Sequence, residues 1–226
     1  MLYQLTENEF AFLRMFCELP SLPGFPDMQE PIPADRSLEA VHSLEEKGYL
    51  EKDEEGKYAL GEELSFLMIC MKNASSAFSV TMKDKAMSAY FLEDVIVLLQ
   101  KTQDYELLWL PHLPLLIGAI AEFLQPFINR ETTGQMTCPA DQLASVRERL
   151  LAEGCTKLWE LSFYEGGDRD SSREMELYGD SRRQVHLRRD GETLYLSEPD
   201  KADLVNSITN VIARLHAQSI LGGAAT

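Results

Sequence analysis

The chain has 226 residues, 45% hydrophobic and 26% charged, an ordinary balance for a folded protein with room for a sizeable core. Its formal net charge of -16 repels polyanions over a Debye length, which argues against nonspecific binding to nucleic acid or to an anionic membrane. It opens without a basic and apolar leader, and its longest apolar run, Leu113 to Leu124, is too short to span a bilayer, so a cytoplasmic location is expected.

In chain order, Thr6 and Glu9 have the spacing of a capping box, opening a helix on which Phe10, Leu13, Phe16 and Cys17 recur at helical intervals until Pro20 stops it. The prolines between Pro20 and Pro33 impose an extended loop, either exposed or packed through Leu22, Phe25 and Ile32. Asp35 or Ser37 can cap a second helix, with Leu38, Val41 and Leu44 toward the core and Gly48 ending it. Two short strands, one beginning at Tyr49 and Leu50 and one over residues 57 to 60, flank the turn Asp53-Glu-Glu-Gly56. Residues 1–60 therefore predict a winged-helix-like segment.

The rest of the chain repeats itself. Residues 61 to 73 predict a helix with Leu64, Leu67, Met68 and Met71 on one face, followed by strands at 77 to 82 and 87 to 92, a hairpin at 95 to 110 and a helix from Pro114 to about Phe127. The second pass predicts a helix at 139 to 153, strands at 157 to 164 and 173 to 178, a hairpin at 184 to 196 around Asp190-Gly191, and a helix at 201 to 217. "VLLQKTQDYELLWLPHLPLL" at 97 to 116 aligns with "VHLRRDGETLYLSEPDKADL" at 185 to 204, an offset of 88. The stretch "EGGDRDSSRE", residues 165 to 174, predicts a mobile loop, and Asn129 to Thr137 a polar linker. The expected fold class is α+β. It has a central antiparallel sheet flanked by helices, built from two pseudo-symmetric helix-strand-strand-strand-helix units, 61–128 and 138–218, packed as one domain beside the N-terminal segment.

A recognition helix and wing would need positive charge. Residues 1 to 66 instead carry fifteen Asp or Glu against five Lys or Arg, a net of -10, and Asp53, Glu54 and Glu55 occupy the tip of the wing. A basic cluster of Arg169, Arg173, Arg182, Arg183, Arg188 and Arg189 lies in the second unit among Asp170, Glu174, Glu176 and Asp180. It reads either as a solvated sheet edge with cross-strand ion pairs or as a patch for an acidic partner centred on Arg182, Arg183, Arg188 and Arg189. Two apolar stripes follow helical spacing, Leu204, Ile208, Val211 and Leu215 in one helix and Leu115, Leu116, Ala119, Ile120 and Phe123 in another, and core packing accounts for both. Any exposed remainder falls at Leu124, Phe127 and Ile128, which makes them candidate partner-binding residues.

Cys17, Cys70, Cys138 and Cys155 are widely spaced and read as buried, reduced thiols. The four histidines lack metal-ligand spacing, and no nucleophile, phosphate-loop or zinc motif occurs. The expectation is a binding protein without catalytic residues, cofactor or metal.

Five stretches, "LTENEFAFL" at 5 to 13, "LEEKGYLEKDEEGKYAL" at 44 to 60 ahead of "ELSFLMICMKNASSAFSV" at 63 to 80, "WELSFYEGG" at 159 to 167 and "GETLYLSEPDKADLVNSITNVIARL" at 191 to 215, stand in an order that resembles the EspG-like chaperones of type VII (ESX) secretion systems. The resemblance implies an α+β fold with pseudo-two-fold symmetry and a cytoplasmic chaperone that binds a helical secreted protein and neither nucleic acid nor membrane. The alternative is a transcriptional regulator with an N-terminal winged helix and a C-terminal ligand-binding or dimerisation domain. One departure stands out: the connection "KDKAM" at 83 to 87 is short where its counterpart in the second unit is long.

Overall fold

A computed structural model describes residues 2–25, 32–124, 135–165, 168–180, 183–198 and 201–223. The N-terminal layer begins with a strand, β1 (Leu2–Leu5), and the capping box then forms as its spacing requires. Glu9 N donates to Thr6 Oγ1 at 3.3 Å and Thr6 N to Glu9 Oε2 at 2.6 Å, opening α1 (Glu7–Phe16). Helix α2 (Ala34–Glu46) starts earlier than expected, with Pro33 at the cap position. Asp35 and Ser37 thus lie inside the helix, where neither can cap it; the Ser37 hydroxyl donates instead to the Ile32 carbonyl at 3.5 Å. Leu38 is also not a core residue but 62% exposed, because on a 3.6-residue helix it falls about 110° from the centre of the stripe formed by Ala40, Val41 and Leu44.

Gly48, at φ +69, ends α2 in the left-handed conformation that favours glycine. The wing follows as β2 (Leu50–Lys52) and β3 (Tyr58–Leu60), with Leu50 opposite Leu60. In its turn Asp53 Oδ1 accepts from the Glu55 and Lys57 amides. Phe10, Leu13, Leu44 and Leu50 share one core with helix α3 (Glu62–Lys72) and the adjoining sheet face. The N-terminal layer is part of the body, and Leu22 and Phe25 of the proline-rich loop are buried in it.

Ten strands form one antiparallel sheet. In the first unit these are β4 (Ser76–Thr81), β5 (Ala86–Leu92), β6 (Val95–Lys101) and β7 (Tyr105–Leu110), followed by α4 (Leu113–Phe123). The second unit opens with β8 (Gln135–Pro139) and α5 (Leu143–Ala152). It continues through β9 (Thr156–Glu165), β10 (Asp168–Gly179), β11 (Gln184–Asp190) and β12 (Thr193–Ser197) to α6 (Lys201–Gly223). The strand order is β1-β7-β6-β5-β4-β9-β10-β11-β12-β8, a palindrome of the two units about the β4/β9 pair. Ser79 stands opposite Ser162 near its middle. The offset persists, since Tyr105 and Leu113 begin elements whose counterparts begin at Thr193 and Lys201, 88 residues later.

Strand alternation sorts the side chains onto two faces. On the first face Tyr90, Val97, Leu99 and Tyr105 meet the N-terminal layer and α3, while Tyr178, Val185, Leu187 and Leu194 meet Val146 and Leu150 of α5. On the second face Phe78, Val80, Phe91, Leu161 and Phe163 are covered by α4 and α6.

Two expected loops are strands. Residues 165 and 168 to 172 prolong β9 and β10, with Asp168 opposite Glu165 and a register shift before Arg173, because the ladder is made by backbone groups that a polar stretch carries as well as an apolar one. In the expected linker, Gln135 to Thr137 belong to β8, which pairs with β12 and places Cys138 opposite Leu194. Of the four thiols Cys70 and Cys155 are buried; Cys17 and Cys138 are only half-buried.

Candidate protein-interaction surface

The wing and its helix present acid to solvent. Asp53, Glu54 and Glu55 are exposed at the turn. Three lysines of the segment are engaged within it: Lys47 with Glu9 at 2.7 Å, Lys52 with Glu45 at 3.2 Å and over the Tyr58 ring at 4.8 Å, and Lys57 with Glu55 at 2.6 Å. A helix followed by a two-stranded hairpin is there, with the wrong charge for phosphate.

Among the described residues, the arginines of the second unit are spread over a turn and both faces of β11. Arg188 and Arg189 are consecutive in β11 and project to opposite faces. On the second face, Arg188 lies 4.6 Å from the centroid of Tyr195. Arg189, near the hairpin tip, donates through Nε to the Gly191 carbonyl at 3.5 Å and is exposed. Arg183 forms an ion pair with Glu153 at the end of α5, and its backbone amide donates to Asp180 Oδ1 at 2.9 Å. Arg182, and the side chains of Arg169 and Arg173, lie outside the described residues. Glu176, counted among the neighbouring acids, turns inward to Arg147.

Leu124 closes the crevice between α4 and α6 and is buried with Ile120 against Val205, Ile208 and Ile212. That crevice holds about 10 Å³, room for a water molecule at most. Phe127 and Ile128 lie outside the described residues.

A further surface exists only in the folded chain. Tyr3 of β1, Trp109 of β7, and Glu62, Glu63, Phe66 and Leu67 of α3 line an open groove of about 620 Å³. Phe66 sits off the buried stripe of α3 and Trp109 on β7, the strand next to the sheet edge, among apolar neighbours, so neither departs from a periodic pattern that linear reading detects.

No protein-family model and no curated protein matches this sequence. Among solved structures, the chain is similar to the Mycobacterium tuberculosis type VII secretion system chaperone EspG5, solved in complex with a PE25-PPE41 dimer. The likeness covers 93% of this chain and 95% of that one, with a TM-score of 0.62 and 8% sequence identity. This chain has the EspG-like fold. At that identity the EspG-like likeness is one of backbone fold rather than of shared residues.

Within the EspG-like fold the reactive side chains of this chain stay apart. Among the described residues no group of three His, Cys, Asp or Glu side chains converges to hold a metal ion. His42 sits 3.6 Å from Glu45 on exposed α2, His186 packs beside Trp159, and His216 packs beside Phe91. Burial pushes the Cys17 thiol up to about 11, against the pull of Lys72, and raises Cys70 as well, so neither is a thiolate nucleophile at neutral pH. Among the described residues no helix is long and apolar enough to cross a membrane.

Proposed function

We propose that the protein is a cytoplasmic, non-enzymatic chaperone that binds a helical protein destined for a type VII-like secretion system. The observation that carries this reading is the EspG-like fold over nearly the whole of both chains, since the similar structure is itself a secretion chaperone in complex with a PE25-PPE41 dimer. The binding surface in this reading is the second unit's edge and the end of α4. It includes Arg183, Arg188 and Arg189, together with Arg182, Phe127 and Ile128 outside the described residues, while Leu124 anchors the α4 end from within. Arginine forks suit an acidic stretch of a helical partner.

The test is affinity purification of the tagged chain from its native host, followed by co-expression of the captured protein with and without the chain. The expected result is a small helical exported protein that stays soluble only with the chaperone, and whose capture falls in an Arg188→Glu, Arg189→Glu variant. Recovery of no exported protein, together with a low-salt gel shift on duplex DNA, would replace this reading with that of a transcriptional regulator.

A further inference from the structure

We propose that the groove between α3 and the strands β1 and β7 docks a segment of a partner protein that presents an arginine or lysine beside apolar side chains. This site is independent of the proposed chaperone surface. It adjoins β1 and β7 at one edge of the sheet, whereas the arginine hairpin β11–β12 lies toward the other, seven strand spacings or roughly 35 Å away.

Phe66 is 48% and Trp109 51% exposed, and they face one open space floored by Leu67. Single exposed apolar residues are common on protein surfaces, but two large aromatics around one concavity mark a contact surface, because such side chains dominate interface energetics. The groove's volume of about 620 Å³ accommodates several side chains of a partner.

Charge selects the occupant. Among the described residues, the charged side chains lining the groove are the carboxylates of Glu62 and Glu63, with the Tyr3 hydroxyl donating to Glu63 Oε2 at 3.4 Å. Placement in the first turn of α3 accounts for these acids through the helix dipole, but it does not account for aromatics left beside them. The surrounding layer, residues 1 to 66, carries a net charge of -10. An acidic peptide, a phosphate or an anionic bilayer is therefore repelled. A guanidinium or ammonium group gains both carboxylates and the face of the Trp109 indole, while its apolar neighbours cover Phe66.

Trp109 supplies the readout. The other tryptophan, Trp159, is buried, so a change in indole emission on binding reports the groove. The probe is an amphipathic synthetic peptide of leucine and arginine, titrated into the full chain beside the same peptide with glutamate in place of arginine. The expected result is saturable binding of the arginine peptide alone. Affinity should weaken roughly three- to tenfold in Glu62→Gln, Glu63→Gln and about tenfold in Phe66→Ala. A second double variant, Glu51→Gln, Glu54→Gln in the exposed wing, removes the same charge elsewhere and is expected to leave affinity unchanged. Equal weakening in the wing variant would reduce the effect to general attraction by an acidic protein and overturn the proposal. Equal binding of the glutamate peptide, or no binding of either, would overturn it too.

Discussion

Arg147 on α5 holds the buried carboxylate of Glu176 on β10 with two parallel hydrogen bonds, Nε to Oε2 at 2.8 Å and the outer guanidine nitrogen to Oε1 at 2.9 Å. The pair fixes the helix to the sheet at a point where Glu176 has almost no access to water, and Lys157 stands 3.7 Å from the same carboxylate. Removing the arginine leaves a desolvated anion with Lys157 as its remaining cation. Arg147→Ala is expected to lower stability by about 2 to 4 kcal/mol, read from the urea midpoint, and Glu176→Gln by less, because the amide leaves no buried charge.

Glu9 links the capping box of α1 to α2. Its carboxylate accepts from the Ser43 hydroxyl at 2.6 Å and from Lys47 Nζ at 2.7 Å as well as from the Thr6 amide. Burial pushes this carboxyl up, but Lys47, Ser43 and the Thr6 amide together outweigh burial and hold it below its ordinary value of 4.5. The unfolded chain takes up a proton near 4.5 that the folded chain refuses, so stability falls with pH from there down through the folded value. Glu9→Gln is expected to lose about 2 kcal/mol at pH 7. The gap to wild type should shrink as pH drops below about 4 in paired denaturant titrations.

His186 works in the opposite range. It is buried against Trp159 with the Arg188 charge nearby, and desolvation, then Arg188, lower it from 6.5 to about 4. Between those values the unfolded chain binds a proton and the folded chain does not, so stability declines as pH falls from 6.5 to 4 and levels off below. Between pH 7 and pH 5 this group should remove about 2 kcal/mol. Replacing it with a residue that does not titrate, His186→Phe, is expected to flatten that part of the stability profile, whatever its effect at pH 7.

Gly24 lies at φ +76, and a Cβ there would stand 2.7 Å from Ser79 Cβ. The loop crosses the sheet at this point, and the Ser88 hydroxyl donates to the Pro23 carbonyl at 2.5 Å. Gly24→Ala is expected to cost about 2 to 3 kcal/mol in thermal or chemical denaturation, from backbone strain and the clash together. Adding Ser79→Gly should recover the clash portion and leave the strain, a coupling that a double-mutant cycle measures directly.

Much of the element order was legible because local physics fixes it. Leu64, Leu67, Met68 and Met71 all face inward from α3 as their spacing requires, and the hairpin signalled by Asp190-Gly191 forms with its two-residue turn one place on, at Gly191 and Glu192. Strand β1 carries no local signal: four residues are too few to show alternation, and the β7 partner that makes them a strand lies about a hundred residues away. The same limit hid the strand character of 168 to 172, a polar stretch at the start of β10. Counting arginines along 182 to 189 could not reveal that 188 and 189 diverge across the sheet, although alternation within a strand made that legible in principle.

By itself the sequence determined what lies within reach of one turn or one hairpin. It set the Thr6 and Glu9 capping box, the glycine end of α2, the acidic wing and the 88-residue repeat. The tertiary structure decided what these serve. The same Glu9 that caps α1 also anchors Ser43 and Lys47, the two repeats meet at Ser79 and Ser162, and Phe66 and Trp109 come to face one groove. Those pairings depend on closing loops of tens of residues, and the energy that closes them belongs to the whole buried core rather than to any segment that could be read alone.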